Sequence, residues 1–471
     1  MNIRRTRIIC TLGPATASQS MLKRLVGAGM DVARVNFSHG DADTHRAAAE
    51  GVRAAARAGK RQVALLQDLQ GPKIRTGALN EHTVKLMRGR PVTLTARHVV
   101  GGESVIPVSH AELVRSLHPD DRVLLADGQI ELGVRAVSDI DAGCVVTRGG
   151  VLGERKGVTV PGRLMPMPAL TPKDLKDLEV GAELEFDYVA LSFVRRAADV
   201  HACRAALEKV GWRVPVVAKL EKQEALSQLD SILDCSDGIM VARGDLGVEL
   251  PLGEVPAVQK DIIARANRRG VPVITATEML ESMVTTNRPT RAEASDVANA
   301  IWDGTDAVML SQETSTGEHP LEAVRAMATI CLAAESHPAY QRERPGWVKD
   351  GSTAAAIAHA AAAVADEVSA RVIVAFTESG STALAVSKAN PTVPVVAASP
   401  HPDSLRKTCL YPGVVALQVE HGDNTDDMIA KAKQAALRSG LVRRRDRIVV
   451  VAGVPVRETG RTNLIKVENI E

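Results

Sequence analysis

Eight short runs of β-branched and other apolar residues recur in the first two thirds of the chain, and segments with helical spacing separate most of them. This alternation predicts parallel strands, because a parallel strand pair needs a crossover connection, usually a helix. Eight such units close a (β/α)₈ TIM barrel, so we predict an α/β fold. The predicted strands are 7–11, 32–36, 63–68, 188–192, 214–219, 238–242, 271–275 and 307–310, and the predicted helices include 18–28, 45–58, 197–210, 256–269 and 292–301.

The alternation stops between residues 74 and 168, where strand-like runs are separated by Gly, Pro and Asp. This region predicts an inserted β-barrel domain with strands at 92–96, 122–126, 145–148 and 158–161. Because the insertion follows the third barrel strand, we expect a lid above the carboxyl ends of the strands. The predicted domains are the barrel at 1–73 and 169–337, the lid at 74–168, and a regulatory domain at 338–471.

The last part of the chain predicts a separate α/β domain. It follows a stretch broken by Pro and Gly at 337–350 and begins with an Ala-rich helix. Its predicted strands are 371–376, 393–397, 414–419 and 447–451.

Composition narrows the class of protein. The chain of 471 residues is 45% hydrophobic but only 2% aromatic, which suits buried parallel strands packed on Ala-rich helices. A net charge of +2 gives no overall attraction to nucleic acid or to an anionic membrane, so we expect a small-molecule partner. No apolar run approaches the roughly 18 residues of a spanning helix, and the six cysteines form no CxxC pair. These features predict a cytoplasmic protein.

Polar residues follow most of the predicted barrel strands, where catalytic groups of this fold lie. One polar residue after a strand is usually a turn or a helix cap, but repetition at most strands favours a shared site. The residues are Asn36, Ser38, Asp68, Lys219, Glu221, Asp245, Thr277, Ser311 and Glu313.

Two of these positions predict a metal site. Lys219 and Glu221 are two residues apart on a strand, so both side chains face the same way. A Lys-x-Glu pair is most often a surface salt bridge, but this pair follows an apolar run in which an isolated charge is costly. Asp245 follows the next strand and could complete a magnesium site, while Gly244 lets backbone amides approach an anion.

The chain resembles the pyruvate kinase family over almost its whole length. The motifs that carry the resemblance occur in the family's order: ARVNFSHG, DLQGPKIR, KGVTVPG, AKLEK, VARGDLGVE, TATEMLESM and DGTDAVMLSQET. The resemblance implies transfer of the phosphoryl group of phosphoenolpyruvate to ADP, giving pyruvate and ATP. It also implies a homotetramer.

The resemblance implies roles for individual residues. Lys219 stabilises the enolate and the transferred phosphoryl group, and Arg34 binds the phosphate. Glu221 and Asp245 hold Mg²⁺, for which Mn²⁺ can substitute. The substrate-binding residues are Arg34, Lys219, Gly244, Asp245, Thr277 and Ser311; Thr277 also assists reprotonation, and Arg75 joins the catalytic group. The nucleotide side comprises Asn36, Phe37, Ser38, His39, Arg75 and Lys156.

Lys73 marks a departure from potassium-requiring members of the family, which have an acidic residue at this position. The family's monovalent-cation site corresponds to Asn36, Ser38, Asp68 and Leu69. A fixed ammonium group near that site would supply the charge of the ion, so we predict activity without K⁺.

The segment 377–382, TESGST, follows a predicted strand and opens a helical pattern, so its amides and hydroxyls could bind phosphate. An ordinary helix cap is an equally good interpretation of the pattern alone. By resemblance it is the family's effector loop, with Thr377, Ser379, Gly380, Ser381 and Thr382 as binding residues. Glu378 replaces the lysine of relatives that respond to fructose 1,6-bisphosphate, so a sugar monophosphate or AMP is the predicted activator.

Two other functions are compatible with parts of the sequence. A lyase or aldolase acting on pyruvate or phosphoenolpyruvate also uses Mg²⁺ and carboxylates on a barrel, but it needs neither Arg75 and Lys156 nor a third domain. A catalytically inactive metabolite sensor would be expected to lose Lys219, Glu221 or Asp245, and all three are present.

Overall fold

A closed barrel of eight parallel strands forms the centre of the protein, as predicted. The computed structural model describes residues 3–162, 167–338, 340, 351–454 and 462–471. Each strand pairs with its sequence neighbours, and the eighth closes on the first, with Arg7 opposite Ala307. The strands are Arg7–Thr11, Val32–Asn36, Ala64–Asp68, Tyr188–Leu191, Val216–Leu220, Gly238–Ala242, Val273–Ala276 and Ala307–Leu310.

Helices surround the barrel, and several begin at side chains that cap the first turn. Asp41 accepts a hydrogen bond from the Thr44 amide at 2.9 Å, so the helix predicted to start at 45 begins at Ala42. The barrel helices are Gln19–Ala28, Ala42–Ala58, Pro172–Glu183, Ala197–Lys209, Gln223–Ser227, Leu229–Cys235, Arg243–Glu249, Val255–Arg268, Arg291–Trp302, Gln312–Ser315 and Pro320–Ser336, with 3₁₀ turns at Pro14–Thr16 and Glu281–Val284.

The insertion after the third strand is a β unit with its own core, built around Leu94, Ile106 and Leu132. It contains a six-stranded sheet, a two-stranded sheet and the helix Ala111–Ser116. Its two ends lie side by side: the Thr76 amide donates to the Lys156 carbonyl at 2.8 Å. The strands are Thr83–Leu86, Pro91–Thr95, Val105–Pro107, Arg122–Leu125, Ile130–Val137, Asp141–Arg148, Gly150–Gly153 and Val158–Thr159.

The C-terminal unit is a five-stranded sheet with helices, and its last strand is antiparallel to its neighbour. Of the predicted connecting stretch 337–350, only residues 337, 338 and 340 are among those described. In sheet order the strands are Val414–Gln418, Val395–Ser399, Val372–Phe376, Arg447–Ala452 and Leu464–Asn469; the helices are Thr353–Glu367, Ser381–Lys388, Pro402–Lys407 and Thr425–Arg438, with a 3₁₀ turn at Thr408–Leu410.

The C-terminal unit packs on the amino ends of the barrel strands, opposite the predicted catalytic face. Arg7, which begins the first strand, donates its Nε hydrogen to the Tyr411 carbonyl at 2.7 Å. Lys388 pairs with Asp306, which precedes the eighth strand. Among the helices described, none combines the length and apolar character that crossing a bilayer requires.

Candidate active site

Lys219 lies at the centre of a polar cluster at the carboxyl ends of the barrel strands. Its Nζ is 2.9 Å from Glu221 Oε1 and 3.0 Å from Asp68 Oδ1, and it donates to Ser192 Oγ at 2.8 Å. The lysine is only 9% exposed. The ends of the third and fifth strands therefore bring together one ammonium and two carboxylates in a site largely shielded from water.

Lys219 and Asp68 shift each other's pKa towards the charged forms. Burial acts to lower the pKa of Lys219, but the carboxylates of Asp68 and Glu221 outweigh it and raise that pKa. Burial acts to raise the pKa of Asp68, but Lys219 and Arg34 outweigh it and lower that pKa. Lys219 is therefore a permanent cation at neutral pH.

Arg34 supplies a second positive charge to the same cluster. It lies on the second strand, and its Nε donates to Asp68 Oδ2 at 2.6 Å while its NH1 group donates to Thr11 Oγ1 at 2.9 Å. Asp68 is thus held between Arg34 and Lys219, and it fixes the separation of the two cations. Such an arrangement is suited to binding a phosphoryl group of more than one negative charge.

Glu221 and Asp245 line one cavity between the barrel and the inserted unit. Glu221 Oε2 accepts a hydrogen bond from the Phe193 amide at 2.8 Å, which orients the carboxylate. Burial raises the pKa of Glu221, and the charge of Asp245 raises it further, so the two carboxylates repel each other. A divalent cation relieves this repulsion. Two carboxylates, with water and substrate oxygens completing the shell, fit the usual coordination of Mg²⁺.

Thr277 follows the seventh strand in a left-handed backbone conformation, with φ of 67°. This conformation is costly for a β-branched residue and is typical of functional sites. Thr277 Oγ1 accepts a hydrogen bond from the Gly244 amide at 2.8 Å, so it lies beside the segment that carries Asp245. The Arg243 guanidinium donates to the Thr277 carbonyl at 2.9 Å and to Asp296 at 2.7 Å, which stabilises this backbone.

The end of the eighth strand carries a buried hydroxyl. Ser311 Oγ has no hydrogen-bond partner among the described residues. The Ser311 amide donates to Glu313 Oε2 at 2.6 Å, and the Leu280 amide donates to Glu313 Oε1 at 3.1 Å. Glu313 therefore organises two loops, while the hydroxyl of Ser311 remains able to bind a ligand.

The predicted nucleotide residues lie in two groups. Arg75 and Lys156 lie at the root of the inserted unit, where Arg75 pairs with Gly157 and its side chain donates to the Arg155 carbonyl at 3.1 Å. The other group, Asn36 to His39, follows the second strand; Asn36 Oδ1 accepts from the Ser38 amide at 3.0 Å.

Phe37 is enclosed by its own neighbours. Its side chain is fully buried and stacks on His45 with ring centroids 3.8 Å apart. Its amide donates to Asp68, and its carbonyl accepts from Lys173. These contacts hold the backbone of the predicted nucleotide segment in place.

Lys73 lies in the cavity beside the predicted metal ligands Glu221 and Asp245. Its Nζ is 3.9 Å from Asp245 Oδ1, and it lines the cavity that contains Glu221 and Asp245. The charge of Asp68 is instead met by Arg34 and Lys219, and the Leu69 carbonyl accepts from Ser192 Oγ at 2.7 Å. The ammonium therefore adds its charge beside Asp245.

The segment 377–382 forms a tight turn before the helix Ser381–Lys388. Gly380 has φ of 97°, and its amide donates to Thr377 Oγ1 at 2.8 Å. Ser379 donates to Ser381 at 3.2 Å, and Thr382 lies 2.9 Å from Thr462 Oγ1. Glu378 points to His401, with 2.7 Å between Oε2 and Nε2.

Sequence reasoning did not find Ser192 or Arg243. Ser192 binds Lys219 across 27 residues of sequence, and Arg243 binds Asp296 across 53. Arg243 had a local signal, because it directly precedes Gly244 and Asp245. Ser192 had none, since one serine after a strand is a common cap.

The chain matches the models of one protein family over both its barrel and its C-terminal unit. Residues 3–324 match the family model described as pyruvate kinase, barrel domain, and residues 355–468 match the model for the alpha/beta domain of the same family. The chain belongs to the pyruvate kinase family. It is therefore a phosphotransferase, a kinase of glycolysis in a family that uses Mg²⁺.

Individual pyruvate kinases are similar to the chain over nearly its whole length. It is 44% identical to the pyruvate kinase of Geobacillus stearothermophilus over 99% of this chain and 80% of the relative. It is 43% identical to that of Mycobacterium tuberculosis (strain CDC 1551 / Oshkosh) over 99% and 98%. A crystal structure of a pyruvate kinase from Cryptosporidium parvum superposes with a TM-score of 0.91 at 35% identity, covering 99% of this chain and 96% of that one.

Proposed function

We propose that the chain transfers the phosphoryl group of phosphoenolpyruvate to ADP at the Lys219 cluster, forming pyruvate and ATP. The observation that carries the proposal is the contact of 2.9 Å between Lys219 Nζ and Glu221 Oε1 beside Arg34 and Asp68. Phosphoryl transfer needs charge neutralisation and alignment more than covalent catalysis. Two fixed cations beside two acidic metal ligands provide both.

The residues of the cluster act on different parts of the substrate. Arg34 and Lys219 bind the phosphoryl oxygens, and Lys219 also stabilises the enolate oxygen from which the phosphorus separates. Glu221 and Asp245 would hold Mg²⁺, or Mn²⁺ in its place, which would supply further positive charge to the substrate oxygens. The segment of Gly244 and Asp245 receives the substrate carboxylate, and Ser311 also binds the substrate, a role that its buried hydroxyl without a partner among the described residues supports.

Thr277 acts in the second half of the reaction. The bond from phosphorus to the enolate oxygen breaks as an ADP oxygen bonds to phosphorus, and the enolate then takes a proton at carbon. Thr277 Oγ1 is held by the Gly244 amide at 2.8 Å, next to the proposed carboxylate site, so it can position the proton donor.

The inserted unit acts as the lid that binds ADP. We assign Arg75 and Lys156 on its root, with residues 36–39 (Asn36, Phe37, Ser38 and His39) on the barrel, to the nucleotide side of the site. The proposal divides the chain into three domains. These are the barrel at 1–73 and 169–337, the lid at 74–168 and the regulatory domain at 338–471. A closed lid excludes water, which strengthens every charge interaction in the site.

Two finer features are part of the proposal. K⁺ is not required, because Lys73 adds a fixed positive charge beside Asp245. A phosphorylated effector binds Thr377, Ser379, Gly380, Ser381 and Thr382, and it is a sugar monophosphate or AMP because Glu378 repels a second phosphate. We further propose a homotetramer in the cytoplasm.

The test is a coupled assay of pyruvate formation from phosphoenolpyruvate and ADP with Mg²⁺. The wild type should be active, and Lys219→Met should lower kcat by at least about 100-fold, as removal of a charge-stabilising group does. Lys23→Met, at an exposed position, is the matched control. A wild-type enzyme that consumes no phosphoenolpyruvate with ADP, or that cleaves a carbon–carbon bond to release pyruvate, would refute the proposal in favour of a lyase.

A further inference from the structure

The loop after the fourth barrel strand, residues 192–195, contacts both connections between the barrel and the inserted unit. Ser192 Oγ donates at 2.7 Å to the carbonyl of Leu69, which lies just before the chain enters the inserted unit. Arg195 donates at 2.6 Å to the carbonyl of Met167, where the chain returns from that unit. One short loop of the barrel is therefore bonded to the chain on its way to the lid and on its way back.

Phe193, in the middle of this loop, has a backbone conformation that phenylalanine rarely adopts. Its φ is 54°, in the left-handed region, which is strained for a bulky residue and is typical of functional sites. In this conformation the Phe193 amide donates to Glu221 Oε2 at 2.8 Å, and Glu221 is a proposed metal ligand. The strained backbone thus orients the carboxylate that would meet the metal ion.

The ring of Phe193 contacts the first lid connection and the residue after Glu221. A Cβ atom added to Gly71 would lie 2.8 Å from Cδ2 of the ring, and Gly71 has φ of 65°, so a side chain at this position would displace the ring. Lys222 Nζ lies over the ring, 5.8 Å from its centroid, and also pairs with the buried Glu249. A displacement of Gly71 would therefore displace Phe193.

Space filling alone does not account for Phe193. A side chain that only fills space has no need of a strained backbone, and Phe186, which is buried, has no positive φ. Phe193 is instead half-buried, and it lines the cavity that contains Glu221 and Asp245. Its backbone and its ring thus serve two different neighbours, the metal ligand and the lid connection.

We propose that Phe193 is a positioning residue that couples the lid connection at Gly71 to the metal ligand Glu221. The ring follows Gly71 and the amide holds Glu221 Oε2, so the direction of the carboxylate depends on the placement of the lid connection. Groups that orient a metal ligand typically contribute about 10- to 100-fold to metal affinity. The inference rests on the proposed function, because it requires that Glu221 holds the divalent ion.

The test measures Mn²⁺ binding to the full chain without substrates, from the electron paramagnetic resonance signal of the free ion. Phe193→Asn removes the ring, while asparagine tolerates the left-handed backbone, and Phe193→Tyr keeps the ring. Trp212→Leu is the matched control, because it removes a half-buried aromatic side chain before the start of the fifth strand. Glu221→Gln removes the proposed ligand itself. Far-UV circular dichroism verifies that each variant is folded.

The wild type should bind Mn²⁺ much more tightly than Glu221→Gln does. Phe193→Asn should weaken Mn²⁺ binding by at least about tenfold, whereas Phe193→Tyr and Trp212→Leu should stay within about threefold of the wild type. In the coupled assay, Phe193→Asn should raise the half-saturating Mg²⁺ concentration and leave kcat at saturating Mg²⁺ nearly unchanged. A residue that only fills space would lower stability without changing metal affinity.

Gly71→Ala tests the coupling to the lid connection. Its added Cβ displaces the ring, so this variant should also weaken Mn²⁺ binding. Because both substitutions act through Phe193, the loss in Gly71→Ala/Phe193→Asn should be clearly smaller than the product of the two single losses. A loss equal to that product would overturn the inference, and so would an unchanged Mn²⁺ affinity of Phe193→Asn. A wild type that binds Mn²⁺ no better than Glu221→Gln would refute the proposed metal site, and the inference with it.

Discussion

Lys388 Nζ lies 2.7 Å from Asp306 Oδ2, and both side chains are buried where the C-terminal unit meets the barrel. Asn267 Oδ1 accepts a second hydrogen bond from the ammonium at 2.6 Å. Asp306 Oδ2 also accepts from the Val273 amide at 2.8 Å, at the start of the strand that ends beside Thr277. This ion pair therefore connects the helix Ser381–Lys388 to the starts of the seventh and eighth barrel strands.

Loss of this lysine should destabilise the protein strongly. Lys388→Met leaves the Asp306 carboxylate buried without its cation, a change that costs about 3 to 5 kcal/mol. Urea denaturation followed by circular dichroism measures the loss. Lys466→Met removes a half-exposed lysine that pairs with Glu468 and should cost much less, because solvent screens that pair. Equal effects of the two substitutions would contradict a structural role for the buried pair.

Asp31 predicts a pH dependence of stability. Burial acts to raise its pKa, but Arg4, Arg7 and Arg61 outweigh burial and lower it. A carboxyl group whose pKa is lower in the folded state stabilises the fold above its unfolded pKa, near 3.9, and loses this contribution as the pH falls through its folded pKa.

Asp31→Asn should therefore destabilise the protein by about 3 kcal/mol at neutral pH. The difference in unfolding free energy between the variant and the wild type should shrink at pH values below about 4, because protonation of the wild-type carboxyl group then removes its stabilising contribution. Urea unfolding curves at several pH values measure both. If this difference in unfolding free energy stayed constant down to acid pH, the charge of Asp31 would not be the reason for the lower stability of the variant.

Lys73 predicts the response to monovalent cations. Its ammonium supplies a fixed charge 3.9 Å from Asp245, so wild-type activity in sodium-only buffer should match that in potassium buffer at equal ionic strength. Lys73→Glu should be weakly active in sodium and should regain activity in potassium. The coupled assay measures both enzymes. Collapse of the wild-type rate without K⁺ would disprove this role of Lys73.

The segment 377–382 predicts selectivity among phosphorylated effectors. A sugar monophosphate or AMP should lower the half-saturating concentration of phosphoenolpyruvate, and fructose 1,6-bisphosphate should have little effect because Glu378 repels its second phosphate. Ser381→Asp places a carboxylate at the first turn of the helix and should remove activation while leaving kcat without effector unchanged. A strong response of the wild type to fructose 1,6-bisphosphate would be incompatible with this view.

Much of the barrel could be predicted because its strands are buried on both faces. Arg7–Thr11, Gly238–Ala242 and Ala307–Leu310 have the predicted bounds, since a short apolar run between turn residues is a clear signal. Strands with one exposed face were harder to find. Ile130–Val137 contains two small residues and alternates in burial, and Leu464–Asn469 is mostly exposed at a sheet edge.

The site was predictable where its residues are close in sequence. The two-residue spacing of Lys219 and Glu221 implied a shared direction, and their contact is 2.9 Å. The hydrogen bond from Arg34 to Asp68 had no comparable local signal, because barrel closure decides which strand ends meet. The left-handed conformation of Thr277 could not be predicted either, since threonine rarely adopts it.

The inserted unit leaves and re-enters the barrel through one pair of hydrogen-bonded segments, joined by Thr76 and Lys156. A body attached along a single seam can swing about that seam without changing its own interior. Arg75 and Lys156 lie on the seam, so their distance from Lys219 changes little while the far end of the unit travels furthest. A swing of the unit would thus open or close the cleft to solvent while leaving the groups proposed to bind the nucleotide phosphates near the barrel.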